Sequence, residues 1–465
     1  MARSDVRGAQ QTIHRRNLIY HTLYPYTKLF FFHYYSTVEV TGKENIPRNQ
    51  PVIFAPNHQN ALMDALIVLF SAPDDVVFLA RADIFRKRFL AFFLNSLKIL
   101  PVFRQRDGTA ELGKNQDIFD ITVEVLRRNH YICIMPEGNH GDQRKLRNLV
   151  KGIFRIAFKA QEPHGNKPFV KLLPVGLDFG HYVKQHQTLL VNYGKPIEIS
   201  EYWEQFQENP ARGINAVKDK LIEEMKPLMI HIETDEYYEE VMGLRKLFNP
   251  RMRELMGIGG DRLSDRFRAD KEMIDRFHRV LEKNEGQVRE VTGKVKRYFE
   301  GVKKLGIRDW VVRDRGYTFV RTLWRYLSLI ATFPVFLYGL INNAVPYFLP
   351  VRLTRNIKDL QFHSSVKVGL GILILFPLFY LLQTLVVGIV TGPWWIWAVY
   401  LVSLLPAGKA ALFWYFRWKK TVNGGRFRKL LRRRDPAAWE LVELRKEIIS
   451  DTEVMIGNVE DPGIG

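Results

Sequence analysis

From about residue 36 to residue 230 the apolar positions fall into short runs whose period changes from two to about 3.6 and back. STVEVTG alternates apolar and polar side chains as a half-buried strand does. PVIFAPN, VVFLA, KILPVF, YICIM, KLLPVGLDF and TLLVNYG are compact apolar runs that read as further strands. Between them, ALMDALIVLFSA, a segment running through Phe93, and NQDIFDITVEVLRRN carry helical spacing, and KDKLIEEMKPLM closes the unit as a helix. Strands alternating with helices predict an α/β fold, a largely parallel sheet flanked by helices, over 36–230.

The pattern then changes twice. Residues 231–320 are charged, with Phe277, Leu281, Val288, Val291, Val295, Tyr298, Val302 and Leu305 forming an apolar stripe at helical steps. That stripe predicts either a helical hairpin packed on the first unit or a short coiled-coil arm. Next come three long apolar stretches: Tyr326–Val351 and Val368–Val390 carry no charge, and Trp394–Phe416 carries only Lys409. A helix needs about 20 apolar residues to cross the hydrocarbon of a bilayer, and each stretch has that length. Residues 1–35 form a third kind of segment, aromatic but broken by Arg, His, Pro and Lys, which suits a helix lying against a membrane interface. An ordinary core helix is the competing expectation there.

Charge refines this organisation. Lys and Arg total 69 against 49 Asp and Glu, a formal net charge of +20, which suits a polyanionic partner such as nucleic acid or an anionic membrane face. The apolar stretches favour the membrane, and no RNA- or DNA-binding motif is present. The loop after Val390 is uncharged. Arg352, Arg355, Lys358 and Lys367 precede Val368, and RWKKTVNGGRFRKLLRRRD follows Phe416. Both outer ends of the last hairpin are therefore expected on the cytoplasmic side, with the basic tail 419–465 on anionic headgroups. Tyr326–Val351 is basic at both ends, with Arg321 and Arg325 ahead of it, and contains Pro334, Asn342, Asn343 and Pro346. A re-entrant or interfacial dip within a membrane region 321–418 is expected, with three full spans as the alternative. The opening MARSDVRGAQ shows no secretory signal, and the single cysteine, Cys133 in YICIM, is expected to be a buried core residue.

Candidate chemistry sits where strands end. In FAPNHQNALMDALI, His58 and Asp64 interrupt an apolar context. A carboxylate that takes the imidazole Nδ1 proton leaves Nε2 free as a general base. Six residues of ideal helix turn through about 600°, so the two side chains would diverge unless the helix starts after His58, with Asn60 a candidate N-cap. PVFRQRDG places Arg104 and Arg106 two apart at a strand end, where alternate side chains point the same way and two guanidiniums make a phosphate clamp. MPEGNHGDQRKLRNLVKG puts Glu137 and Gly138 at a turn after a strand, suited to binding hydroxyls, and KLLPVGLD places Pro174 where it shapes one wall.

Taken in order, NHQNALMD, PVFRQRDG, MPEGNHGDQRKLRNLVKG and LLPVGL, followed by GKPI, resemble the motif blocks of the glycerolipid acyltransferase superfamily. The resemblance covers under half of the chain. It implies a direct acyl transfer with His58 as base and Asp64 as its orienting acid. Arg104 and Arg106 then hold the acceptor phosphate, and Glu137 and Gly138 its glycerol part. The donor is implied to be a thioester of coenzyme A or acyl-carrier protein, a co-substrate, with no cofactor and no metal. The acceptor is implied to be glycerol-3-phosphate or a lysophospholipid such as 1-acylglycerol-3-phosphate. Five residues separate His58 from Asp64 where the family usually has four, a form found in some eukaryotic glycerol-3-phosphate acyltransferases. The family's Glu-Gly-Thr-Arg is here Glu137-Gly138-Asn139-His140. The missing arginine shifts phosphate contact towards Arg144, Lys145 or Lys151, with Asn139 beside them. The alternatives are a non-catalytic lipid-binding or scaffold protein and a lysophospholipid hydrolase.

Overall fold

A computed structural model describes residues 17–85, 88–102 and 114–457. Two compact units divide the chain: one runs to His231 and takes in Asn356–Val368, the other comprises Ile232–Arg355 and Gly369 onward.

The first unit is built on an eight-stranded sheet: β1 (Thr37–Thr41), β2 (Val52–Pro56), β3 (Val76–Arg81), β4 (Ile99–Val102), β5 (Tyr131–Cys133), β6 (Lys171–Phe179), β7 (Thr188–Tyr193) and β8 (Ile197–Glu198). The order is β1-β7-β6-β2-β5-β3-β4, with β8 beside β6. All neighbours are parallel except β6 with β7 and β8, so the α/β, largely parallel expectation is met. Helices α1 (Leu18–Tyr34), α2 (Leu62–Ser71), α3 (Arg88–Ser96), α4 (Lys114–Arg127), α5 (Gly152–Gln161) and α6 (Pro210–Met225) complete the layer. Alternation along β2 sorts its side chains. Ile53 and Ala55 join a buried cluster with Ile121, Phe154 and Val217 from α4, α5 and α6. Phe54 points the other way, its ring 5.4 Å from Tyr131 and 5.9 Å from Tyr193. Cys133 is free and buried, as expected, and burial pushes its thiol well above the ordinary range.

The part of the aromatic N-terminal segment within the described residues is the helix α1. One face packs inward through Tyr20, Thr27, Phe31 and Tyr34, with Phe31 and Tyr24 against Phe70 of α2. Leu18, Leu29 and Phe32 are exposed on the other face. Helix α5 goes unread in the sequence, because the glycine and basic residues before it merge with the turn-rich Glu137 block.

In the second unit the charged region holds three long helices, α7 (Tyr238–Leu255), α8 (Leu263–Lys283) and α9 (Glu285–Lys304), and a short one, Asp309–Arg313. The apolar stripe breaks where its step of seven falls: Asn284 ends α8 and caps α9 by accepting from Gln287 N. Of the expected basic tail 419–465, the described residues 419–457 are not a separate tail. Apolar Trp394 opens a 39-residue helix that runs on to Arg432, and Pro436–Gly457 forms another helix carrying Glu453 and Asp451 to Arg251 and Lys294.

Among the described residues two helices, Gln361–Thr391 and Trp394–Arg432, are long and apolar enough to cross a membrane, and a third span arises if the bent pair Phe319–Ala331 and Phe333–Thr354 is one crossing. That pair bends by 55°. The bend falls at Thr332, just ahead of Pro334, rather than at Asn342, Asn343 or Pro346, which lie inside a continuous helix. Pro334 sits in the first turn, where its missing N–H has no intrahelical partner to lose. Pro346 deprives the Asn342 carbonyl of its helical donor, and Gln383 Nε2 replaces it at 3.1 Å.

Candidate active site

His58 lies just past the C-terminal end of β2 and Glu137 just past that of its parallel neighbour β5, the edge of an α/β sheet where ligands are usually bound. The chain turns at once into α2, whose first turn carries Asp64. His58 Nδ1 stands 2.8 Å from Asp64 Oδ2. The same oxygen accepts the backbone N–H groups of Gln59, at 2.9 Å, and Asn60, at 2.7 Å. An oxygen collecting two backbone donors is an acceptor, so Nδ1 donates and Nε2 is the ring's available acceptor. Asp64 is fully buried, and the His58 side chain keeps 15% of its surface. The helix does start after His58, as the spacing requires. Its N-cap, however, is Ala61 and not Asn60: Ala61 adopts φ 45° and ψ −118° and offers no side-chain bond. Asn60 is 1% exposed, and neither atom of its amide finds a partner among the described residues.

Three neighbouring residues hold this turn. Asn57 exchanges hydrogen bonds with Leu177 on β6, its Oδ1 accepting at 2.7 Å and its Nδ2 donating at 3.2 Å. Gln59 donates to Gln143 O at 3.2 Å and accepts from Tyr182 at 2.7 Å. Glu137 Oε1 accepts the His58 backbone N–H at 3.0 Å, and its Oε2 accepts Arg147 Nε at 2.7 Å.

Glu137, expected as a hydroxyl ligand, is thus a bracket for His58, its side chain 1% exposed with both oxygens engaged. Burial raises its carboxyl above the ordinary value, and the Arg147 guanidinium pulls the other way. Gly138 turns the chain at φ 72°, a conformation that suits glycine, and is exposed together with Asn139. Arg144, expected as a phosphate ligand, is buried and held elsewhere: it donates to Asp178 Oδ1 at 3.0 Å and to the Phe179 carbonyl, and lies over the Tyr182 ring. Lys145 is partly buried, and Lys151 is exposed beside the first turn of α5. Pro174 is buried within β6, in register with Ala55, so it belongs to the sheet behind the turn. Arg104 and Arg106 lie outside the described residues.

Arg147 is the residue that sequence reasoning missed. It is one of several bases in the QRKLRN run, and nothing in their spacing says which faces Glu137. Gly141 makes room for it: a Cβ there would stand 2.9 Å from Arg147 Nε. His140, read in the sequence only as standing where the family's arginine would be, also packs at the site. Its ring centroid is 5.6 Å from that of His58, the rings edge to face, and its Nε2 is 2.5 Å from Asp359 Oδ2.

Residues 37–178 match the protein family described as Acyltransferase. The chain is 24% identical over 247 residues, 51% of its length, to glycerol-3-phosphate O-acyltransferase 1 of Saccharomyces cerevisiae, of which it spans 31%. It is 25% identical over 198 residues to the 1-acyl-sn-glycerol-3-phosphate acyltransferase of Borreliella burgdorferi, covering 41% of this chain and 72% of that protein. Among solved structures, the 1-acyl-sn-glycerophosphate (LPA) acyltransferase PlsC of Thermotoga maritima aligns with 47% of this chain and 78% of its own, at 20% identity and a TM-score of 0.31. The residues that surround His58 and Asp64 therefore lie within a region that matches the Acyltransferase family and is similar to glycerolipid acyltransferases.

Proposed function

We propose that the protein is a membrane-bound glycerolipid acyltransferase that moves a fatty acyl group from an acyl thioester to a hydroxyl of glycerol-3-phosphate or 1-acylglycerol-3-phosphate. The single observation that carries this reading is the His58 Nδ1–Asp64 Oδ2 bond at 2.8 Å within a domain of this family. Nε2 of His58 takes the proton of the acceptor hydroxyl as its oxygen attacks the thioester carbonyl carbon. The tetrahedral intermediate collapses, the C–S bond breaks, and the leaving thiolate takes the proton back from the imidazolium. Asp64 holds the ring tautomer and faces the positive charge while it lasts. General base catalysis of this kind contributes about 10²–10⁴-fold.

Arg104 and Arg106 are assigned to the acceptor phosphate, with Lys145, Lys151 and exposed Asn139 as neighbours of the same block. Glu137 and Gly138 shape the acceptor side, Glu137 through its bond to the His58 backbone. The two apolar helices and the basic residues that follow them support anchoring in a bilayer, with the catalytic unit on the cytoplasmic, anionic face.

The test is full-length protein incubated with labelled acyl-CoA, or acyl-carrier-protein thioester, and a panel of glycerol phosphate and lysophospholipid acceptors. Labelled ester that disappears in a folded His58→Ala variant is the expected result. Free fatty acid as the sole product identifies a hydrolase instead. Ligand binding without turnover identifies a lipid-binding protein.

A further inference from the structure

The family match ends at residue 178, yet a short segment far beyond it reaches a neighbour of each member of the candidate pair, His140 beside His58 and Leu62 beside Asp64. After Thr354 the chain returns to the first unit as Asn356–Val368, a stretch that includes the start of the apolar helix Gln361–Thr391. On the histidine side, Asp359 Oδ2 meets His140 Nε2 at 2.5 Å across 219 residues of sequence. Phe362 closes on the His140 ring at 4.8 Å and 87°. His140 is thereby wedged between Phe362 and His58, whose ring it meets at 86°. On the aspartate side, Ser365 Oγ accepts the Leu62 N–H at 3.1 Å. Leu62 opens α2, and Ala61 before it supplies no capping oxygen. Ser365 does from 303 residues away what a neighbouring Ser or Asp usually does at a helix start. The segment is itself tied down: Gln361 Nε2 donates to Gly141 O at 3.2 Å, Lys367 Nζ to Val183 O at 2.8 Å, and Ser364 contacts the Tyr34 hydroxyl and the Tyr182 carbonyl.

We propose that Asp359 and Ser365 are positioning residues of this active site. Asp359 fixes the His58 imidazole through His140, and Ser365 fixes Asp64 by closing the first turn of α2. A ring bonded at one nitrogen still rocks about that bond, and the His140 ring, packed edge to face with it, opposes the movement. The inference rests on His58 as the base. Loosening a base costs turnover rather than substrate affinity, because the lost alignment matters only as the reacting atoms meet.

The experiment compares full-length Asp359→Ala, Asp359→Asn, His140→Ala, the double Asp359→Ala/His140→Ala, Ser365→Ala and Ser365→Thr. It reads kcat, KM and thermal melting with labelled acyl thioester and the best acceptor of the panel above. D359A and H140A are each expected to lower kcat about tenfold at unchanged KM. The double variant is expected to match H140A alone, because Asp359 acts only through that ring. S365A lowers kcat severalfold and S365T restores it. D359N preserves side-chain size, so it still reports on turnover if D359A fails to fold; it too is expected to lose kcat. Unchanged kcat in D359N, losses that multiply in the double variant, or a rise in KM alone overturns the inference. Wild-type protein without transfer, or transfer surviving in H58A, sinks the functional reading and this inference with it. Full transfer with a silent D359N sinks this inference alone.

Discussion

Asp64→Asn separates the charge of the acid from its geometry. Asp64 Oδ2 accepts three hydrogen bonds, from His58 Nδ1 and from the Gln59 and Asn60 backbones, whereas Oδ1 has no partner among the described residues. An asparagine that places its carbonyl oxygen at the Oδ2 position keeps all three bonds, and its amide nitrogen occupies the site of an atom that was already unpaired. The reverse orientation sets an NH2 against three donors and is excluded. The fold should therefore survive, with melting within a few degrees of wild type. What disappears is a negative charge beside the imidazolium. With the charge centres roughly 4 Å apart and an effective dielectric of about 20, that interaction is worth about 4 kcal/mol. At about 1.4 kcal/mol per decade, kcat should fall by about 10³-fold. Asp64→Ala differs in kind: it strands two buried backbone N–H groups at about 1–3 kcal/mol each and should lower the melting temperature as well as the rate. The assay is single-turnover acyl transfer from labelled thioester under saturating acceptor, with melting recorded on the same preparations. A D64N enzyme that turns over within threefold of wild type would refute Asp64 as the electrostatic partner of His58.

Other expectations follow from the same geometry. Ala61→Gly relieves a left-handed backbone at φ 45°; strain of about 1–3 kcal/mol set against about 0.5–1 kcal/mol of added chain entropy should raise stability by about 1 kcal/mol, read as a higher melting temperature. A drop in melting temperature would show that the Ala61 conformation is not strained. Glu137 is raised by burial, so its contribution is present below its ordinary value of 4.5 and is lost as the pH rises through the folded value. Melting of Glu137→Gln from pH 4.5 towards neutrality should lack that decline; parallel pH profiles for variant and wild type would contradict it. In the second unit, Asn343 accepts from Tyr380 at 2.6 Å and donates to the Leu404 carbonyl at 3.3 Å, where Gly408 leaves it room. Asn343→Leu should cost about 1 kcal/mol in detergent unfolding, and a more stable variant would show that this bond does not hold the helices together.

The linear sequence by itself determined the α/β layer, the apolar helices and the neighbourhood of His58. Strand and helix periods are local, and the run from Phe54 to Ile67 contains both His58 and Asp64, so the requirement that α2 begin after the histidine was legible. The capping residue was not. Asn60 has the expected chemistry, but its backbone N–H bonds Asp64, and the cap position passes to strained Ala61. The tertiary structure alone decided which of several bases meets Glu137, because Arg144 and Arg147 are chemically alike and only the fold sends one to Asp178 and the other to Glu137. It alone brought Asp359 to His140 and Ser365 to Leu62, over 219 and 303 residues. Such pairings carry no period and no spacing rule. They form because the chain folds back on itself, and chain distance says nothing about where a return path ends.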